Sequence, residues 1–300
     1  MNKRLIIALL FFLFAFGAMS QDRGILPLTG IKYFKEGIQA QSIGMKIDGT
    51  PLMSNRIPFN KDIVLVLGQP NGFAADAAKK VYAAAELVIV SPKGEILAKT
   101  ANLLLQNEAK GFSPKELAEL SIKFNITPQM LKVYMNGTLQ LRLYDLKSKN
   151  QLRFEMPVTF TRVGEQLQLS NTAKTILQKE GVVGVVNGLK AKKVQVSVDT
   201  TISVAPKMAY TSLDISAIEG SSISGIFQGK ENFWVYDDNL NEVKITDILL
   251  KQVKGAMENN NVDYTLKIPY RAKNNATKYT VRFRWESTDK KQLIDVVMKM

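Results

Sequence analysis

Two aromatic residues, Trp234 and Tyr236, are placed where they could bind a ligand. They alternate in the sequence FWVY, so a strand through this segment would present both on one face, with Phe233 and Val235 on the other. A flat aromatic pair of this kind offers a rigid surface on which sugar rings can stack. The same strand is apolar on both faces, which is also typical of a strand buried on both sides. The sequence leaves both interpretations open.

Two basic rows could bind anions. Arg282 and Arg284 share one face of the predicted strand VRFRW, and Lys192 and Lys193 lie in LKAKKVQVS. Closely spaced cations can hold an anionic polymer, but charges on the outward face of a sheet also protect its edge from aggregation. Together with the aromatic pair they make up the candidate ligand-binding residues, which are Trp234, Tyr236, Lys192, Lys193, Arg282 and Arg284.

The acidic residues predict no catalytic or metal site. DDNLNE places oxygens at Asp237, Asn239 and Asn241, like the start of a calcium loop, but Glu242 stands where that loop needs glycine. We therefore expect a polar turn there. The chain has neither Cys nor His, which removes Ser-His-Asp triads, Cys-His pairs and metal sites built from thiolate or imidazole. We expect no enzyme activity, no cofactor and no metal.

The first 20 residues predict an export signal. Lys3 and Arg4 precede an apolar run, Leu5–Phe16, that is too short to span a membrane, and Ala18–Ser20 forms a small-x-small cleavage site. We predict a signal peptide over residues 1–20, a mature chain in the periplasm or at the cell surface, and no membrane span in that chain. An exported chain without cysteine depends on its cores rather than on disulfides.

The charge favours anionic partners. The formal net charge is +13, and removal of Lys3 and Arg4 with the signal leaves 13 − 2 = +11. Such a balance favours contact with nucleic acid, lipid headgroups, an acidic polysaccharide or an acidic protein, and it specifies none of them. Because the chain is expected to be exported and shows no nucleic-acid-binding motif, we expect no nucleic-acid partner.

One series of segments occurs twice in the same order. ELVIVSPKGEI at Glu86 matches FWVYDDNLNEV at Phe233, and TLQLRLYDLKSKNQL at Thr138 matches TVRFRWESTDKKQL at Thr280. Between them lie LLLQNEAKG in the first copy and ILLKQVKG in the second. The matching alternation also places Trp285 on an inward face, as a core residue. The order and spacing predict two copies of one domain.

Short strands separated by turns predict an all-β chain of two tandem Ig-like antiparallel β-sandwich domains with minor short helices. We place domain 1 at residues 21–163, a connector at 164–190 and domain 2 at 191–300. Domain 1 carries an insertion near 69–86 that is absent from the second copy, and loops of this kind often carry function.

Three short helices are expected. The alanines of the insertion favour a helical turn or two. Ser113 and Glu116 form a capping box that predicts a helix of one to two turns, and Asn171 could cap a helix over Thr172–Glu180 in the connector. GVVGVV, which follows, is expected to be the first strand of the second domain.

The C-terminal strands resemble the sorting domains with which some Gram-negative bacteria move proteins across the outer membrane. The likeness lies in WVYDDNLNEV and in a last strand that ends in Lys299, whereas the Pro-Asn-Pro opening of that family is absent. The resemblance implies a C-terminal sorting signal. The similar strands in the first copy, where such a signal would have no use, favour a structural repeat instead.

These features predict an exported, non-catalytic binding or structural protein of the bacterial cell envelope. It would act through protein–protein contacts of its tandem sandwiches, whose sheet edges could accept an added strand, and its partner would be an envelope or surface protein. A glycan-binding protein that uses exposed aromatic and basic residues is the first alternative. A carboxylate-based hydrolase, which needs two converging acids, is the second.

Overall fold

The structure is a computed structural model of the chain. It describes residues 22–131, 134–161, 174–179, 182–188, 190–199, 209–219, 229–243, 250–254, 262–268 and 279–299. The predicted signal peptide, residues 1–20, lies outside the described residues. The chain divides into two compact units, Met1–Gln166 and Leu167–Met300, called unit 1 and unit 2 below.

The described part of unit 1 consists of eleven strands and three very short helices. The strands are β1 (Arg23–Ile25), β2 (Lys32–Glu36), β3 (Ser42–Ile47), β4 (Thr50–Pro51), β5 (Arg56–Pro58), β6 (Ile63–Gly68), β7 (Ala83–Val90), β8 (Ile96–Thr100), β9 (Glu119–Phe124), β10 (Asn136–Asp145) and β11 (Gln151–Thr161). The helices are α1 (Leu105–Glu108), a 3₁₀ turn (Glu116–Ala118) and α2 (Pro128–Leu131).

These strands form two sheets around one core. Sheet 1 has the order β1-β2-β11-β10-β7-β8, with β5 added parallel to β11, and sheet 2 has the order β4-β3-β6-β9. Alternation along β10 sends Leu141 inward, where it is 2% exposed, and Arg142 outward. Leu141 belongs to the same buried cluster as Leu65 of β6 and Ile122 of β9. The core therefore lies between two facing sheets, as in a β-sandwich.

Unit 2 also contains two sheets in its described part. Its strands are β12 (Lys174–Lys179), β13 (Val182–Asn187), β14 (Lys190–Asp199), β15 (Ala209–Glu219), β16 (Gly229–Tyr236), β17 (Leu250–Lys254), β18 (Val262–Ile268), β19 (Thr280–Ser287) and β20 (Leu293–Lys299). Sheet 3 has the order β12-β13-β20-β19-β16, and sheet 4 has the order β14-β15-β18-β17. All pairs in both sheets are antiparallel.

The two units share a strand order. The path β1-β2-β11-β10-β7 in sheet 1 corresponds, strand by strand in chain order, to β12-β13-β20-β19-β16 in sheet 3, and β3-β6-β9 corresponds to β14-β15-β18. The register of the last hairpin also agrees. Leu139 pairs with Met156 and Val281 pairs with Met298, so both partners are shifted by 142 residues (139 to 281 and 156 to 298).

The all-β class with few short helices is confirmed, but two predicted helices are wrong. The alanines at the end of the insertion, Ala83–Ala85, lie buried in β7, because small side chains fit a strand that is packed on both faces. The connector helix is replaced over Lys174–Lys179 by β12, which pairs with β13. Residues 174–187, placed in the connector by sequence, thus supply two strands of sheet 3.

The predicted capping box is confirmed, because Ser113 and Glu116 exchange its bonds at the start of the 3₁₀ turn. GVVGVV contributes to a strand, β13, but β12 precedes it in unit 2, so it is not the first strand there. The similar phrases LLLQNEAKG and ILLKQVKG, however, form α1 in unit 1 and β17 in unit 2. Short apolar runs suit either element, so pairing with β18 decides the second case.

Candidate functional site

The structure buries the predicted arginine row. Arg282 is 6% exposed and Arg284 is 4% exposed, so neither lies on an outward solvent face. Both bind the carboxylate of Asp295, which is fully enclosed at 0% exposed, with nitrogen–oxygen distances of 2.7 Å from Arg282 and 2.6 Å from Arg284. Burial alone would raise the pKa of Asp295, but the two guanidinium groups outweigh it and hold that pKa below its ordinary value.

The aromatic pair belongs to the same cluster. Tyr236 is 5% exposed, and burial raises its pKa to about 12, with Arg282 opposing the shift. Trp234 is half-buried, and the guanidinium carbon of Arg282 lies 4.9 Å from its ring centre. The structure therefore brings Trp234, Tyr236 and Arg282 together around Asp295 rather than in an exposed aromatic platform.

The remaining two candidates, Lys192 and Lys193, lie in β14. Their side chains lie outside the described part of the structure. Trp285 is 1% exposed, so its prediction as a core residue is confirmed.

The matching face of unit 1 is exposed instead of buried. Arg142, equivalent to Arg284 by register, is 44% exposed and lies 3.0 Å from the carboxylate of Glu86. Arg153, equivalent to Asp295, is 41% exposed and donates from Nε to Glu36 at 2.8 Å. The same strands therefore carry a surface ion-pair network in one unit and a buried charge cluster in the other.

DDNLNE forms a turn, as predicted. The Asp237 carboxylate accepts the backbone N–H groups of Asn239 at 2.8 Å and Asn241 at 2.9 Å, and the left-handed residue is Leu240, with φ of 60°. Unit 1 has the same turn, with Ser91 in the place of Asp237 and Gly94 in that of Leu240. No group of three acidic side chains suited to a metal ion occurs among the described residues.

The part of the insertion that precedes β7, residues 69–82, is a hydrogen-bonded loop rather than a helix. The carboxylate of Asp145, which is 3% exposed, accepts the N–H of Ala74 at 2.8 Å and the hydroxyl of Ser148 at 2.6 Å. Asn150 donates its side-chain amide to the carbonyl of Gly72 at 2.6 Å. The turn between β10 and β11 thus fixes the loop at two separate points.

A second carboxylate orders the tip of this loop. Asp76 accepts the N–H of Lys80 at 2.8 Å, the N–H of Ala78 at 2.9 Å and the hydroxyl of Tyr82 at 2.9 Å. The Lys80 N–H and then the Tyr82 hydroxyl hold the pKa of Asp76 below its ordinary value. The Lys147 ammonium lies 3.8 Å from the centre of the Tyr82 ring. The loop is therefore ordered in advance of any binding, which lowers the entropy cost of contact.

An exposed apolar surface lies at the other end of β7. Ile96 is 62% exposed, Met135 is 47% exposed and Met130 is 37% exposed. The elements that carry them lie together, since α2, which carries Met130, packs against β8, which carries Ile96, and the Tyr134 hydroxyl, next to Met135, donates to the Glu95 carboxylate at 3.2 Å. We call Ile96, Met130, Tyr134 and Met135 the methionine patch. Sequence patterns did not indicate it, because its residues come from three different elements.

Comparison with known proteins adds no relative, since the sequence matches no protein-family model and no curated protein. Among the described residues, no helix is both long enough and apolar enough to cross a membrane.

Proposed function

We propose that the protein is an exported, non-catalytic binding protein of the bacterial cell envelope, built from two tandem Ig-like β-sandwiches, and that it binds another envelope protein through unit 1. The methionine patch is the observation that carries this proposal. Methionine and tyrosine are enriched at protein–protein interfaces, and flexible thioether side chains adapt to the shape of a partner.

The composition of the patch favours a protein partner over a glycan. A sugar platform needs an exposed flat ring, whereas the Tyr236 ring is buried and the Trp234 ring stacks on Arg282. Clustered and strongly exposed apolar side chains such as Ile96 and Met135 instead mark a surface that gains free energy when a protein covers it.

Site-specific photo-crosslinking in the native envelope tests the proposal. A photoreactive residue at Met135 or Ile96 should capture the same single protein, identified by mass spectrometry, and a residue at Ser121 should not. Ser121 is exposed on the outer face of sheet 2 and is the matched control. Capture of different proteins at the three positions, or of none, would contradict the proposal.

A variant gives an independent readout. Met135→Asp places a charge in the patch and should abolish capture by the photoreactive residue at Ile96, because a buried unpaired carboxylate is costly at an interface. An unchanged yield of crosslinked partner would show that the patch is not the contact.

A further inference from the structure

Six lysines collect at the end of unit 1 where β7 begins. Two lie in the insertion, two precede the 3₁₀ turn and two lie in the turn between β10 and β11. We call them the lysine end, which consists of Lys79, Lys80, Lys110, Lys115, Lys147 and Lys149. The loops are joined to one another, since Lys80 Nζ donates to the carbonyl of Lys110 at 3.0 Å and Val81 forms a β-bridge with Phe112.

The lysines of the lysine end differ from other lysines of unit 1 in their ion pairing. None of its six ammonium groups forms an ion pair with a described residue, whereas lysines elsewhere in unit 1 do: Lys61 lies 2.6 Å from Asp48, and Lys123 lies 2.7 Å from Asp62. The carboxylates at this end are engaged in ordering the loops. Asp76 accepts backbone N–H groups of the insertion, as described above.

Glu116 is held in the same way by the capping box. It accepts the N–H and the hydroxyl of Ser113, each at 2.7 Å. These bonds lower the pKa of Glu116, the backbone bond most, and the charges of Lys110 and Lys80 contribute less. The carboxylates therefore stay ionised within the loops, where they hold backbone and hydroxyl donors rather than an ammonium group.

Two exposed leucines lie at the same end. Leu105 is 68% exposed and Leu146 is 41% exposed. The N–H of Leu146 donates to the carbonyl of Tyr82 at 2.8 Å, directly before β7, and Leu103, two residues ahead of Leu105, donates to Ala85 at 2.7 Å. Apolar side chains on loops surrounded by lysine are the combination that partitions into a lipid headgroup layer.

The residue types favour lipid over protein. Lysine and alanine are depleted at protein interfaces and arginine is enriched there, yet the six cations are all lysine and Ala75, Ala77 and Ala78 are exposed on the insertion. A flexible ammonium group suits a diffuse layer of phosphates, whereas a fixed carboxylate partner selects the forked guanidinium group of arginine.

We propose that the lysine end of unit 1 binds the surface of an anionic phospholipid bilayer, with Leu105 and Leu146 entering the headgroup layer. This contact is separate from the methionine patch, because the patch lies beyond the opposite end of β7, a strand of eight residues that spans about 26 Å. Lipid binding and protein binding can therefore succeed or fail independently.

Vesicle co-flotation of the full mature chain tests the proposal. The chain should bind vesicles of phosphatidylcholine with phosphatidylglycerol, bind phosphatidylcholine alone far more weakly, and lose binding as salt rises, because salt screens the attraction. Equal binding to both vesicles, or binding to neither, would overturn the proposal. So would binding to soluble polyglutamate that the anionic vesicles do not displace, since the surface would then prefer an acidic protein.

Matched variants locate the contact. Lys79→Gln with Lys149→Gln should weaken binding to the anionic vesicles about 25-fold, or about five-fold for each charge near a lipid surface. Lys61→Gln with Lys123→Gln changes the net charge equally but removes paired lysines elsewhere, and should change binding less than about two-fold. Equal losses in both pairs would show an effect of net charge alone and would overturn the assignment.

The leucines are tested separately. Leu105→Ser with Leu146→Ser should weaken binding about ten-fold while the slope of binding against salt stays unchanged. A circular dichroism spectrum identical to that of the parent chain would show that these exposed substitutions leave the fold intact. Unchanged affinity would mean that no apolar side chain enters the headgroup layer and would overturn that part of the proposal.

Discussion

At the scale of single residues, Asp295 shows how a buried charge is kept. Its carboxylate accepts hydrogen bonds from two guanidinium groups, and Arg284 also binds Glu286 at 2.6 Å. Such a cluster holds together only while every charge keeps its partner, because desolvation has already removed the water that would compensate a loss.

We expect Asp295→Asn to lower the free energy of unfolding by about 3–5 kcal/mol, because the buried guanidinium group of Arg282 loses its counter-charge and Arg284 keeps only Glu286. Glu36→Gln is the control, since it breaks an exposed pair in unit 1 and should cost at most about 1 kcal/mol. Denaturant unfolding monitored by circular dichroism measures both. Equal costs for the two variants would contradict the buried ion-pair assignment.

Tyr33 gives a prediction for alkaline pH. Burial raises its pKa to about 12, above the value of about 10 for a tyrosine in an unfolded chain. Because the folded-state pKa is raised, the stabilisation is fully present below pH ~10 and is lost as the pH rises through about 12. Tyr33→Phe should remove one tyrosinate transition near pH 12 from an ultraviolet absorbance titration. A titration in which every tyrosine ionises near pH ~10 would contradict the burial of Tyr33.

At the scale of elements, the turns explain how different sequences build one hairpin. Ser91 and Asp237 each accept hydrogen bonds from the backbone N–H groups two and four residues later in the chain. A hydroxyl and a carboxylate therefore close the same turn. The left-handed position is Gly94 in unit 1 and Leu240 in unit 2. Leu240 is 3% exposed, so its apolar contacts offset the backbone cost that glycine avoids.

Gly94→Ala should therefore destabilise the chain by about 1 kcal/mol. The φ of Gly94 is +86° and a Cβ there would meet nothing within 4 Å, so the cost is one of backbone conformation alone. Gly44→Ala is the control, because its Cβ would also meet nothing within 4 Å and its φ is not positive. Thermal unfolding of the two variants should separate them, and an equal effect would exclude the left-handed turn.

At the scale of the whole molecule, the two units share a strand order, but the described faces of their equivalent strands differ. Unit 1 presents a hydrogen-bonded insertion, the lysine end and the methionine patch, while the equivalent strands of unit 2 enclose a charge cluster. Duplicated folds commonly diverge at their surfaces, because core positions are constrained by packing and loops are not. The binding surfaces proposed for unit 1 therefore need no counterpart in unit 2.

Much of the framework could be predicted from the sequence, because alternation reports which face of a strand is buried. Alternation assigns Trp285 to an inward face, and Trp285 is buried. The burial of Arg282 depends on Asp295 lying beside it on the next strand, and single-strand patterns carry no such information. The insertion was assigned helical turns from its alanines, but strand pairing overrides a propensity of a few tenths of a kcal/mol per residue.

The two proposed binding surfaces, the lysine end and the methionine patch, could not be predicted from the sequence for a different reason. Lys79, Lys115 and Lys149 lie in three separate loops. The pairing of β7 with β10 and the bridge between Val81 and Phe112 bring those loops to one end of unit 1. The methionine patch is assembled in the same way from β8, α2 and the segment before β10. A surface built from distant segments becomes visible only when the topology is known.

The last hairpins of the two units share a register, so each could pair in the place of the other during folding. Exchange of segments between like domains is a known route to misfolded, kinetically trapped chains. If the β10–β11 hairpin replaced the β19–β20 hairpin in unit 2, Arg153 would occupy the enclosed position of Asp295. The guanidinium groups of Arg142 and Arg153 would then be buried together without that carboxylate. In the reverse exchange, Asp295 would occupy the position of Arg153 in unit 1, where its partner on the neighbouring strand β2 is Phe34. The charges that distinguish the two hairpins thus disfavour the exchanged arrangement and favour pairing of each hairpin within its own unit.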